Sequence, residues 1–363
     1  MRSSVGRRRA VDLAICAAIV ALLTLVCPPS AHAASHRLGI SNTSLTLDGS
    51  PWWPIGLNAY QLGTNWNVNA GCGAQVDLDG YFASLPPRTL TRVNVYSSMA
   101  LSKITGTLDF SALDAVFDAA ARHDQLLVAV LSGHDGACES TQTKSRTWYA
   151  GGWRNDDAQA PMPFGKWLDT AVSRWAGSPA LAGWTAVGEA EPSNCGSADC
   201  AWQARNCPAG SGAVLRAFFD ATGARIRQLD PKAVIWSGLA GGDQCGSAGD
   251  DYATIAQSPG VDVMEYHDYS AGSQLPDALA QRIDQARAVA KPLVVAELGM
   301  KSGSCSSPAQ RKAQLSAAIA TQRTAGTAGV LFWSFVPDPR TDQCTLDIGP
   351  NDPLLTLIGN ATR

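Results

Sequence analysis

Histidine is scarce in this chain, with five in 363 residues. No dense His/Asp cluster and no paired C-x2-C knuckle is present, so the usual zinc frameworks are excluded. We expect no metal and no cofactor. A Gly-x-Ser-x-Gly elbow is also missing, which with the absent His/Asp cluster removes a metal-dependent deacetylase or an esterase. No glycine-rich phosphate turn follows the first apolar run, against the nucleotide-binding versions of an open doubly wound sheet. Arginines cluster only in the first nine residues. Beyond them no basic tract offers a surface to nucleic acid or to an anionic membrane. Repeats, low-complexity linkers and composition breaks are lacking too, which reads as one domain.

What is present begins with an export signal. Arg2, Arg7, Arg8 and Arg9 form a charged start, Leu13 to Val26 an apolar run, and Ala31-His32-Ala33 a small-x-small cleavage site. The run is short for a bilayer span, although an uncleaved anchor is the alternative, and Arg8-Arg9 leaves the export route open. The expected division is a signal peptide over 1–33 and a single domain over 34–363. Removing residues 1–33 takes away four Arg and one Asp and leaves 24 basic against 30 acidic residues. Ten cysteines become eight: Cys72, Cys138, Cys195, Cys200, Cys207, Cys245, Cys305 and Cys344. An even number in an exported chain predicts disulfides that pin loops, in any of 105 pairings. The mature protein is expected to be a monomer, secreted or associated with the cell wall, with no insertion into a membrane.

Short apolar runs alternate with longer amphipathic ones, the pattern of βα units around a parallel sheet. Residues 37–50 read as a hairpin turning at Asp48-Gly49. Strand candidates follow at 53–60, 91–97, 126–132, 181–187, 233–239, 261–267, 292–298 and 329–335. Leu113, Val116, Phe117 and Ala120 predict a helix over 111–123 capped by Ser111, and another helix is expected over 212–229. Buried parallel strands read as continuous apolar runs. Eight of them predict a (β/α)8 barrel with a small N-terminal hairpin, whose function gathers at the C-terminal strand ends.

Two of those runs stop at acids: GWTAVGEAEP (183–192) and KPLVVAELG (291–299). Other strand ends carry Asn58 and Tyr60, Arg92 and Asn94, His134, His267 and Tyr269, and Trp333. In a barrel these groups converge on one mouth. A pair of carboxylates there suits the cleavage of a glycosidic bond. In extended backbone Glu189 and Glu191 would face the same side, so spacing alone does not choose between them. Trp333 is the best candidate for a sugar platform. Trp53, Trp66, Trp148 and Trp153 are further aromatics in or near loops expected on the active side.

These residues carry a resemblance. GSPWWPIGLNAY, LDFSALDAVFDAAARHDQLLVAVL, YAGGW, IRQLDPKAVIWSGL, the His267-Asp268-Tyr269 element, VVAELG and LFWSF follow one another in an order that is similar to glycoside hydrolase family 5, nearest its β-mannanase-like branch. It covers nearly all of the chain after the signal. The resemblance implies that Glu297 is the nucleophile of a retaining reaction, with Tyr269 and Arg92 holding it ionised. It implies that His267 and His134 line the sugar subsite, that Asn58 and Trp333 contribute to binding, and that Glu189 or Glu191 is the acid/base. The family's Asn-Glu-Pro is altered here to Gly188-Glu189-Ala190-Glu191-Pro192. An ungapped count favours Glu189, and the Glu-Pro pair favours Glu191. The second acid is expected to raise the pKa of the first by repulsion.

The expected activity is therefore hydrolysis of a β-linked polysaccharide, mannan by family default, by two glutamates. The missing asparagine, which in the family holds the 2-hydroxyl of the cleaved sugar, admits a β-galactofuranosidase or galactan hydrolase acting on a bacterial cell-wall polymer. A carbohydrate-binding barrel that has lost catalysis is the reading from a different class.

Overall fold

The computed structural model describes residues 37–359 apart from 141, 157–159, 196–199, 201–203 and 271. The segment 1–33, expected from the sequence to be a signal peptide, lies outside the described residues. Eight parallel strands run in the sequence expected: Ile55–Asn58, Leu90–Asn94, Leu126–Val130, Leu181–Thr185, Ile235–Trp236, Met264–Asp268, Leu293–Leu298 and Val330–Phe332. We call them the first to eighth barrel strands. Each pairs in parallel with its sequence neighbour, and the first pairs with the eighth. A Trp236–Val263 bridge joins the fifth strand to the start of the sixth and closes the ring. The protein is a (β/α)8 barrel.

Strand alternation sorts the side chains. Leu90, Leu126, Val128, Ala182, Trp236, Val263, Val294 and Leu331 meet in one buried cluster inside the barrel. Leu38, Leu45, Leu47 and Trp52 join it from the N-terminal sheet. That sheet is the expected hairpin, Leu38–Ser41 and Ser44–Leu47, with an added third strand Ser50–Trp52. It plugs the N-terminal end of the barrel with apolar side chains. The alternate residues, Val93, Leu127, Met264 and Val295 among them, face outward into the larger cluster shared with the helices, and a register shift at Ala182 turns Trp184 outward with them.

Two local expectations are corrected. Ser111 does not cap its helix. The helix is Ser111–Arg122, so Ser111 is its first residue, and its backbone N–H donates to Asp109 over 3.0 Å. Trp53, Trp148 and Trp153 are not at the mouth. Trp53 precedes the first strand and donates to the Thr327 carbonyl at the opposite end. Trp148 and Trp153 are buried against Phe164 and Phe218 of the helices Phe164–Trp175 and Ser211–Leu229. Trp66 alone of that set is exposed.

The cysteines pair as Cys72–Cys138, Cys195–Cys200, Cys207–Cys245 and Cys305–Cys344. All four bridges lie in segments that leave the C-terminal strand ends. Among the described residues no helix is long and apolar enough to cross a membrane.

Candidate active site

The period of two decides what enters the barrel. On the second strand Leu90 points inward, so Arg92 and Asn94 follow. On the sixth strand Val263 points inward, and Glu265 and His267 follow. The seventh strand would break the rule, because Val294 is inward and Glu297 lies an odd number of residues on. A bulge resolves this. Tyr266 pairs with Val295 and His267 with Glu297, so Ala296 is the extra residue and Glu297 turns inward.

Around Glu297 the contacts are close. Arg92 Nη1 donates to Glu297 Oε1 over 2.8 Å and to Asn58 Oδ1 over 3.0 Å. Asn58 is itself fixed by donating to the Ala296 carbonyl at 2.7 Å. The Tyr269 hydroxyl donates to the other carboxylate oxygen, Oε2. His267 Nδ1 lies 3.4 Å from that oxygen and 2.7 Å from Glu189 Oε1. One imidazole nitrogen thus bridges two carboxylates, and the facing atoms of Glu189, His267 and Glu297 all lie within 4.8 Å of one another. The cavity above them has a volume of about 490 Å³, and Tyr60, Arg92, Asn94, His134, Glu189 and Trp333 are among its walls. Trp333 and Tyr60 stack nearly parallel, with ring centres 5.8 Å apart. Asn58 and His267 stand behind this surface rather than on it.

Glu189 and Glu191 do not share a face. The fourth strand ends at Thr185, and Glu189 has φ of 55°, in the left-handed region. Its N–H donates to the Gly238 carbonyl at 2.6 Å. Its side chain is 52% exposed to the cavity. Glu191 is buried: its Oε2 accepts from Arg205 Nη1 at 2.8 Å and lies 3.8 Å from His134 Nε2. The extended geometry expected across 189–191 is absent, and with it the reason the two acids would be equivalent.

The charges follow from burial and these partners. Burial pushes the Glu297 carboxyl above its ordinary range, against the pull of His267, Arg92 and Tyr269. Burial would lower His267, but the Glu297 charge, the hydrogen bond to Glu189 and the Glu265 carboxylate 3.9 Å away outweigh it and hold the imidazole at about 9. Desolvation raises Glu189, yet His267 and then Arg92 and His134 bring it down to about 2. Its exposure lets solvent soften that shift. The repulsion expected from Glu191 is not among its causes. Burial, aided by Arg205 and Lys144, lowers His134 to about 3, so it is neutral. The Tyr269 hydroxyl is raised by burial and by the Glu297 charge, which makes it a firm donor.

Glu189, His267 and Glu297 are close enough to share a cation. Arg92 and the His267 imidazole face the same carboxylates.

No family model matches the chain. A probable mannan endo-1,4-beta-mannosidase F of Neosartorya fischeri is 25% identical over 291 residues, 71% of this chain and 57% of that protein. The chain thus spans little more than half the length of this curated relative. Among solved structures, the endo-1,4-beta-mannanase of Rhizomucor miehei superposes with a TM-score of 0.62 at 18% identity, over 88% of this chain and 96% of that one. A glycoside hydrolase family 5 mannosidase from the same organism gives a TM-score of 0.58 at 14% identity, over 90% and 96%. The chain resembles the family 5 mannanases. The structural likenesses establish the barrel itself.

Within this mannanase-like barrel, Arg92, Asn58, Glu189, His267, Tyr269 and Glu297 form one hydrogen-bonded group, with Trp333 and His134 on the cavity wall. Glu191 pairs instead with Arg205, and the two border the same cavity. Sequence reading missed three features. Glu265 is fully buried beneath His267. Arg205 reaches Glu191 from a disulfide-bearing segment. Glu139 and Lys144 form a buried pair of 2.9 Å under the His134 loop. The period-two register of VDVMEYH was the signal for Glu265. The other two depend on loop paths that no local pattern encodes.

Proposed function

We propose that the protein is an exported retaining β-glycoside hydrolase acting on a mannan-type polysaccharide. One observation carries this reading: two carboxylates, Glu189 from the segment after the fourth strand and Glu297 from the seventh strand, face each other across His267 in a cavity with an aromatic wall. A retaining mechanism needs its two carboxyl groups only about 5–5.5 Å apart, without room for a water between them and the sugar. The spacing here suits it. The curated mannosidase relative supports the substrate class. The signal-like segment and the four disulfides support export.

In this reading Glu297 attacks the anomeric carbon as the bond to the leaving oxygen breaks, forming a glycosyl-enzyme. Arg92 and the Tyr269 hydroxyl fix its two oxygens so that attack needs no reorientation. Glu189 gives the leaving oxygen a proton. Before the sugar binds, that proton lies on His267 Nδ1 in the 2.7 Å hydrogen bond to Glu189, and it crosses to Glu189 as bound sugar displaces solvent from the carboxylate. Glu189 then takes a proton from the water that releases the sugar with its configuration retained. Trp333 offers a ring face to the sugar.

The test is Glu297→Gln. Turnover of an aryl β-mannoside or of mannan should fall below about 10⁻³ of wild type in a variant whose circular dichroism shows the wild-type fold. Full activity in that variant would sink the mechanism. A panel of pyranoside and furanoside chromogenic substrates checks the sugar. Turnover of β-galactofuranosides alone would replace mannan by a galactan, and turnover of none by wild type would favour a binding barrel.

A further inference from the structure

The mechanism above makes no use of Glu265. This residue lies two positions before His267 on the sixth strand, inside the barrel and fully buried. Its backbone is pinned at both ends: the N–H donates to Ser237 Oγ at 3.0 Å, and the carbonyl accepts from the Tyr252 hydroxyl at 2.8 Å. The carboxylate has two unlike arms. Oε1 accepts the Gly238 N–H at 2.8 Å, and the carbonyl of that same Gly238 accepts the N–H of Glu189. Gly238 has φ of 69°, and a Cβ there would come within 2.2 Å of the Val187 carbonyl. The residue that links the two acids is therefore closely packed and has to be glycine. Oε2 stands 3.8 Å from Arg92 Nε and 3.9 Å from His267 Nε2. All three of these atoms are buried and make no hydrogen bond within the described residues. A buried carboxylate is retained only where positive charge compensates it. The cations facing this one are the two that contact Glu297.

We propose that Glu265 is a positioning residue that couples the two halves of the candidate catalytic pair. One oxygen holds the backbone that carries Glu189, and the other holds the positive charge of His267 and Arg92 against which Glu297 is set. The roles of Glu189 and Glu297 rest on the hydrolase reading above; the contacts of Glu265 do not.

His267 is faced by Glu189 from the segment after the fourth strand, by Glu297 from the seventh and by Glu265 from its own. Arg92 and Tyr269 lie around the same carboxylate of Glu297. Removing the charge of Glu265 takes away one of three anions that stabilise the imidazolium, so the His267 pKa must fall. The experiment is a pH titration of the imidazole by nitrogen-15 NMR in wild type, Glu265→Gln and Glu265→Asp, with His267→Asn to assign the signal. In Glu265→Gln the His267 titration should move to lower pH by about one to three units, while Glu265→Asp, which keeps the charge, should retain most of the wild-type value. The alkaline limb of kcat/KM for an aryl β-mannoside should move by the same amount in Glu265→Gln. An unmoved His267 titration in folded Glu265→Gln overturns the proposal. So does a Glu265→Asp protein that shifts as far as a glutamine would. If Glu265→Gln does not fold, the wild-type titration decides: a His267 midpoint no higher than that of a free imidazole, about 6.5, overturns the proposal. A shifted titration in a protein whose wild type hydrolyses no glycoside supports the coupling and rejects the hydrolase reading.

Discussion

Two glutamates separated by one residue part company once the backbone leaves the extended region. A non-glycine residue at positive φ is uncommon and costs energy unless its surroundings hold it there. Here the Gly238 carbonyl holds Glu189 at φ of 55°, and its side chain is exposed to the cavity, while Glu191, on the wall of the same cavity, is buried against Arg205. That turn is why sequence reading left the acid/base open: alternation by two is a rule for strands, and the strand had already ended. The two residues should respond oppositely to the same change. Glu189→Gln removes the proposed proton donor and should lower kcat on mannan by about 10²–10⁴, with a smaller loss on aryl glycosides whose leaving group needs no proton. Glu191→Gln should leave kcat within a few-fold but weaken the hold on Arg205, costing roughly 1–3 kcal/mol of stability. Parallel kinetics and melting curves check both. The reverse pattern would move the acid/base role to Glu191.

Elements were legible to the extent that their burial was. The eight runs read as strands because residues such as those of LLVAV and LVVAEL are buried on both faces. Glu265 escaped notice for the same reason: an acid within such a run looks like an interruption, and only the register shows it facing the axis. The loops that finish the site are held by pairings between distant segments. Cys72 in the loop after the first strand is bonded to Cys138 in the loop after the third, 66 residues on. Beneath that bridge Lys144 donates to Glu139 and to the Gly133 carbonyl, and Ser132 Oγ donates to Glu139 at 2.6 Å. His134 is carried on this support. Replacing Cys72 and Cys138 together by serine should cost about 2–4 kcal/mol and should raise KM more than it lowers kcat, since the loop bounds the cavity while the glutamates sit on the barrel. Denaturant unfolding and steady-state kinetics on the double variant measure the two effects separately.

At the scale of the whole molecule the barrel separates stability from chemistry, because its catalytic face is only one end of a closed sheet. The last helix and the chain beyond the eighth strand supply a test. Arg311 of the helix Pro308–Ala325 is buried, donates to the Asp347 carbonyl at 2.9 Å and pairs with the Asp352 carboxylate. Asp352 in turn accepts the Leu354 N–H at 2.9 Å and places Leu354 in the core. This clasp fastens the C-terminal turn Pro353–Leu357 to the helix that precedes the eighth strand. Arg311→Met keeps the apolar stem but strands a buried carboxylate, a change that typically costs about 3–5 kcal/mol. The urea midpoint should fall with an unchanged m value, as for a native state that is weakened without being rearranged. Measured well below the new transition, kcat and KM should stay within twofold of wild type, because no group of the Arg92, His267 and Glu297 cluster touches the clasp. A large loss of kcat at full folding would mean that the C-terminal segment reaches the site through the eighth strand, where Trp333 stands directly after Phe332.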